Sequence, residues 1–189
     1  MDPGTTPPQY AHPLRRLVAY VVDGIIVAAL IFLVLTLVTL LLGPTVRFDD
    51  SSADGLAVDR GRALLNAILG ALIGAVYFIG SWVRSGRTVG GALFDLRVAS
   101  ADGERLLSVG GSVIRWVALG APLVLVSPVV RGSPGLVTAL TIVTVAWALL
   151  LLVTTILDKR HRGLHDRLAR SVVVRASAPQ RQSIGDIAS

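Results

Sequence analysis

The sequence predicts an all-α membrane protein: four transmembrane helices with a small cytoplasmic β-hairpin element. Three observations lead there. The 189 residues are 53% hydrophobic and 16% charged, with mean hydropathy +0.70, against about 25% charged in a typical soluble domain. Residues 17–42 carry a single ionisable side chain, Asp23, over a run longer than the roughly 20 residues that a bilayer core requires. Fourteen of the eighteen Lys and Arg residues fall in the N-terminal flank, a middle segment and the C-terminal segment. Only Arg47, Arg60, Arg62 and Arg131 lie in the intervening loops. The positive-inside rule then places both termini and the middle segment in the cytoplasm.

The totals also exclude. There is no cysteine, so disulfides, thiolate metal sites and cysteine nucleophiles are absent. The net charge of +6 belongs to residues flanking apolar runs, which makes them topology signals and contacts for anionic lipid rather than a nucleic-acid surface. The first apolar run exceeds the 7–15 residues of a signal-peptide core, so it is expected to be retained as an anchor.

Taken in order, residues 1–13 contain four prolines and no Lys or Arg, and are expected to be a disordered cytoplasmic tail. The membrane domain covers 14–175. Its first span, 17–42, ends at Gly43-Pro44. Residues 44–62 form a mixed-charge outer loop with Asp49, Asp50, Asp54 and Asp59. The second span, 63–83, carries Asn66, Gly70 and Gly74 four apart, a small polar stripe whose GxxxG spacing suits close helix packing within the chain or between copies. Residues 84–112 are too polar to span. There Asp102-Gly103 signals a hairpin over 95–107, and TVGGALF suggests a short interfacial helix. The third span, 113–130, is short and distorted by Pro122 and Pro128. A tight turn, 131–135, leads to the fourth span, 136–157. SVVVR, after the basic run that follows, is expected to add a strand beside the hairpin. Residues 176–189 read as a flexible cytoplasmic tail. Trp82 and Trp116 fall where an inner aromatic belt would lie.

Four stretches in this order, RLVAYVVDG, GRTVGGALFDLRVASADGERL, IRW and HRGLHDRLARSVVV, resemble the RDD family of bacterial integral membrane proteins. The resemblance covers about residues 14–175. It maps the family's arginine to Arg16 and its two aspartates to Asp23 and Asp166. Gly91 stands where family members often carry a lysine. The resemblance implies a bacterial inner-membrane protein and a transport role, with cation/proton antiport among the suggestions.

A carboxylate inside a span marks a functional or assembly site. Arg16, Tyr20 and Asp23 share a helix face, with Asp23 about 10 Å beyond Arg16. Asp23 is therefore expected to pair with Arg16 or Arg115 as a structural ion, to serve as a transport site, or to hydrogen-bond across helices as a neutral acid. Arg16 would otherwise snorkel to the interface, whereas Arg115, at the head of a short span, would be drawn inward. Asp166 is expected to lock the C-terminal segment to the middle one through Arg87 or Arg97. His161 and His165 are four apart, but Gly163 interrupts them and no metal site is expected. Nor is any cofactor or catalytic arrangement. Thr138, Thr141 and Thr144 would either line a polar path or bond their own backbone. The leading functional expectation is a small plasma-membrane transporter, exchanging a cation for protons at Asp23 and working as a homo-oligomer. The alternative is a non-transporting scaffold or accessory subunit held by an Arg–Asp cluster, with the lipid bilayer, anionic lipid and an unidentified protein as partners.

Overall fold

The computed structural model describes residues 10–51, 55–120, 134–159 and 161–176. Three of its helices are long and apolar enough to cross a membrane: α1 (Pro13–Leu42), α2 (Arg60–Arg84) and α5 (Pro134–Leu157). Between α1 and α2 lies an antiparallel hairpin of β1 (Val46–Phe48) and β2 (Leu56–Val58), so the outer loop is partly strand. After α2 come α3 (Val89–Leu93), β3 (Leu96–Ser100) and α4 (Val109–Ala118). After α5 come α6 (Leu164–Leu168) and β4 (Ser171–Arg175). Residues 121–130 of the expected third span lie outside the described residues, as do 1–9 and 177–189 of the tails.

The helix starts follow from local chemistry. His12 caps α1 by accepting from the Leu14 N–H, with Pro13 in the first turn where its missing donor costs nothing. Asp59, Thr88 and Ser108 cap α2, α3 and α4 by accepting from the N–H groups of Arg62, Gly91 and Gly111. At the far end of α1, Gly43 takes φ +83°, a conformation that disfavours side chains.

The long helices present Leu, Val, Ile and Phe outward along most of their length; only 6% of the most apolar stretch of α1 is buried. Such a surface is stable only where the solvent is itself apolar, so lipid takes the place of a packed partner. The buried core lies instead at one end of the bundle. Ala11 and Ala19 meet Trp82 from the end of α2, with Leu96, Val98, Leu107 and Val173 from the segments beyond the spans. These segments form a cap.

The cap departs from expectation in two ways. Strand β3 pairs antiparallel with β4, from Leu96↔Arg175 to Ser100↔Ser171, and not with residues 104–107. Asp102 does turn the chain, its carboxylate accepting from the Glu104 and Arg105 N–H groups. Too few residues remain before the Ser108 cap for a returning strand, however, and two backbone bonds, Ser100 N–H to Arg105 O and Gly103 N–H to Ser100 O, close the turn. The Val-rich β4 is buried from Ser171 to Val174 and fills the vacant edge. Its other edge takes up residues placed in the expected tail: the Ala11 N–H donates to Val173 O and Tyr10 bridges Val174. Residues 10–13 are thus ordered by tertiary contact, which composition does not report.

Candidate functional site

Three of the four charged candidates meet in the cap. Asp166 stands in the short helix α6, at the end of a turn that begins at Gly163. Its Oδ2 accepts from Arg16 Nη2 and its Oδ1 from Arg115 Nη1. Arg16 also donates to the carbonyl of His161. Arg115 donates to Ser171 Oγ at 2.7 Å and to the Tyr20 hydroxyl at 2.7 Å, and its guanidinium lies 5.1 Å from the centre of the Trp82 ring. Arg16, Arg115 and Asp166 are 4%, 0% and 0% exposed. Five segments of chain are thereby tied at one point: the starts of α1 and β4, the end of α2, α4 and α6.

Burial alone would raise the Asp166 pKa. The charges of Arg115 and Arg16 outweigh it and hold the carboxyl below the usual carboxylate range. The cluster therefore contains two guanidiniums and one carboxylate. The expected partners Arg87 and Arg97 are not used: Arg87 is exposed, and Arg97 donates to the Glu104 carbonyl at 2.7 Å. Trp82, expected in a lipid-facing belt, is buried beneath Arg115.

Asp23 lies apart from both arginines. It is 1% exposed, and among the described residues its partners are three neutral donors. The Tyr77 hydroxyl donates to Oδ1 at 2.6 Å, the Gly90 N–H to Oδ1 at 2.7 Å and the Thr88 hydroxyl to Oδ2 at 2.6 Å. Asp23 thus docks the first turn of α3 against the side of α1. The pairing with Arg16 or Arg115 is replaced because both arginines are drawn to Asp166. Tyr77 and Thr88 escaped the sequence reading. The available signal was Thr88 ahead of Val-Gly-Gly, a cap residue beside glycines that permit close approach. A Cβ on Gly90 would stand 2.2 Å from the Ala19 carbonyl oxygen. Between Arg16 and Asp23 runs a cleft of about 30 Å³ bordered by Tyr20, Trp82, Thr88 and Gly91, space of the size a buried water needs.

The stripe on α2 divides its contacts. Gly70 faces Ile31 of α1 and Gly74 faces Trp116 of α4, so both glycines serve packing within the chain. Asn66 donates to Thr45 Oγ1 at 2.9 Å, outside the helix contact. Thr138, Thr141 and Thr144 each bond the carbonyl four residues earlier. Among the described residues no three His, Asp or Glu side chains converge as metal ligands.

His165, beside Asp166, has its pKa pushed down to about 4 by burial, with Asp166 opposing and Arg115 and Arg16 adding to the shift. The unfolded chain binds a proton near 6.5 that the folded one refuses, so this contribution is complete above pH 6.5 and is lost as pH falls toward 4. Thermal unfolding in detergent is expected to show stability falling by on the order of 3 kcal/mol across that window. His165→Gln is expected to flatten the slope there; an unchanged slope in the variant would assign it to other groups.

The sequence model of the RDD family matches residues 10–170. No curated protein and no solved structure is matched by the chain.

Proposed function

Since the chain belongs to the RDD family of membrane proteins, we propose that this multi-pass protein acts as a non-transporting membrane scaffold, presenting its cap as a rigid docking platform. One observation carries this reading. Every charged candidate is spent on joining the cap to the spans: Asp166 on Arg16 and Arg115, and Asp23 on Tyr77, Thr88 and Gly90. A titrating transport site needs access to water and freedom to exchange partners, whereas three donors hold Asp23 as a buried acceptor.

Chain parity supports four crossings. Arg16 meets Asp166, and Asp23 meets Thr88, so the start of α1 and the ends of α2 and α5 share one membrane face. Arg115 joins that same cluster, so α4 stands at the same face as the end of α5, as an even number of crossings requires. The platform is then cytoplasmic by the positive-inside count, at the plasma membrane. Its exposed Arg84, Arg87, Arg105, Arg170 and Arg175 suit an acidic protein partner.

The test is proton movement in sealed proteoliposomes after pulses of sodium, potassium and lithium. Correctly inserted wild type is expected to give none, and Asp23→Asn is expected to lose about 1–3 kcal/mol of stability, since one of its two acceptor atoms becomes a donor. Cation-dependent proton flux that vanishes in a stably folded Asp23→Asn would overturn the scaffold and establish exchange.

A further inference from the structure

We propose that the groove between α1 and α5 is a binding site for an anionic phospholipid, with one acyl chain against the helices and the headgroup phosphate beside Arg16 and His165. The inference needs only the membrane location and not the scaffold role.

The groove has a volume of about 180 Å³ and is sorted by polarity. Leu17, Leu119, Ala148, Leu151 and Leu152 form its apolar walls; Arg16, Tyr20, Thr155 and His165 line its polar end. It is smaller than the roughly 300 Å³ at which drug-sized pockets begin, which suits part of a single alkyl chain. Ala148 and Leu17 are exposed on the surface that faces lipid, so a chain enters from the bilayer.

His165 is 4% exposed, and among the described residues neither ring nitrogen has a hydrogen-bond partner, although Nε2 lies 3.5 Å from Asp166 Oδ1. Buried polar groups are normally satisfied, and an orphan calls for an absent partner. Gly163 packs directly against this ring and leaves no room for a side chain between them. A Cβ there would stand 2.4 Å from Thr155 Oγ1 and 2.8 Å from His165 Nδ1. The Tyr20 hydroxyl accepts from Arg115, which leaves its own proton for an acceptor. Arg16, Tyr20 and His165 thus offer donors at one end of an apolar groove.

Charge selects the headgroup. Two guanidiniums share the Asp166 carboxylate, leaving one positive charge in surplus. Asp23, about 10 Å along α1, is occupied by its own three donors. A phosphate with no cationic group attached answers both the donors and the charge. A choline headgroup brings a second cation to the same place.

Native mass spectrometry of the full chain in detergent tests this, with dioleoyl phosphatidylglycerol, dioleoyl phosphatidylcholine and oleate titrated separately. Wild type is expected to retain one phosphatidylglycerol about fivefold more tightly than phosphatidylcholine, the effect of one cation near an anionic headgroup. Ala148→Trp, at an exposed position, is expected to block the groove and abolish that retention with melting unchanged. Leu152→Trp enters from the same wall and does not depend on the first variant folding. His165→Phe is expected to narrow the preference. Equal retention of the two phospholipids, retention of oleate alone, or full phosphatidylglycerol retention in both tryptophan variants overturns the proposal.

Discussion

Asp166→Ala is expected to destabilise the folded protein by about 3–5 kcal/mol, the range for removing one partner of a buried ion pair. The physical cause is the charge left behind. Arg16 and Arg115 are almost wholly buried and share this carboxylate as their anionic partner. Removing it leaves two guanidiniums a short distance apart in a medium that solvates neither. Arg16→Ala is different. It leaves Arg115 paired with Asp166, with Ser171 and Tyr20 still bonded, so its cost is expected to be smaller. Thermal unfolding in detergent ranks the two. A larger loss for Arg16→Ala would mean that the contact from Arg16 to the His161 carbonyl, not charge compensation, holds the cap.

Gly90→Ala is expected to cost about 3 kcal/mol, the upper end for overpacking, because the clash is with backbone. The new Cβ would lie 2.2 Å from the Ala19 carbonyl oxygen and 2.9 Å from Asp23 Cγ. A helix carbonyl cannot swing aside, so α3 must lift from α1. Lifting it breaks the bond from the Gly90 N–H to Asp23 and draws the Thr88 hydroxyl away. Hydrogen exchange reads this directly: amides from Gly90 to Val98 are expected to lose protection in the variant. Gly24→Ala is the matched control, since a Cβ there meets nothing within 4 Å, and lipid-facing alanine is well tolerated in a helix. Equal protection in both variants would show that α3 does not depend on its close approach to α1.

Three of the four expected spans were legible in the sequence because hydropathy depends on neighbouring residues. The long apolar runs define α1, α2 and α5 within a few residues, and Asp59, Thr88 and Ser108 each precede a helix that they cap. The membership of Arg16, Arg115 and Asp166 in a charged cluster was also within reach, since a buried guanidinium or carboxylate demands a partner. Their assignment was not. Helical spacing put Arg16 and Asp23 on one face, and that geometry made them look like a pair. The hairpin was misjudged for a related reason. Asp102-Gly103 does make a turn, but which segment pairs with β3 depends on where β4 arrives from far along the chain.

By itself, the sequence determined that lipid is the solvent of this chain, where the long helices begin and end, and that charge near their ends must be compensated. Hydropathy and capping are short-range quantities, summed over a few turns of helix. The tertiary structure alone decided the pairing: Arg16 to Asp166 across 150 positions, Arg115 to Asp166 across 51, and Thr88 to Asp23 across 65. Each contact forms because the cap folds back onto the helix ends. A carboxylate then takes whichever donors that packing brings within reach, and no spacing along the chain encodes which they will be.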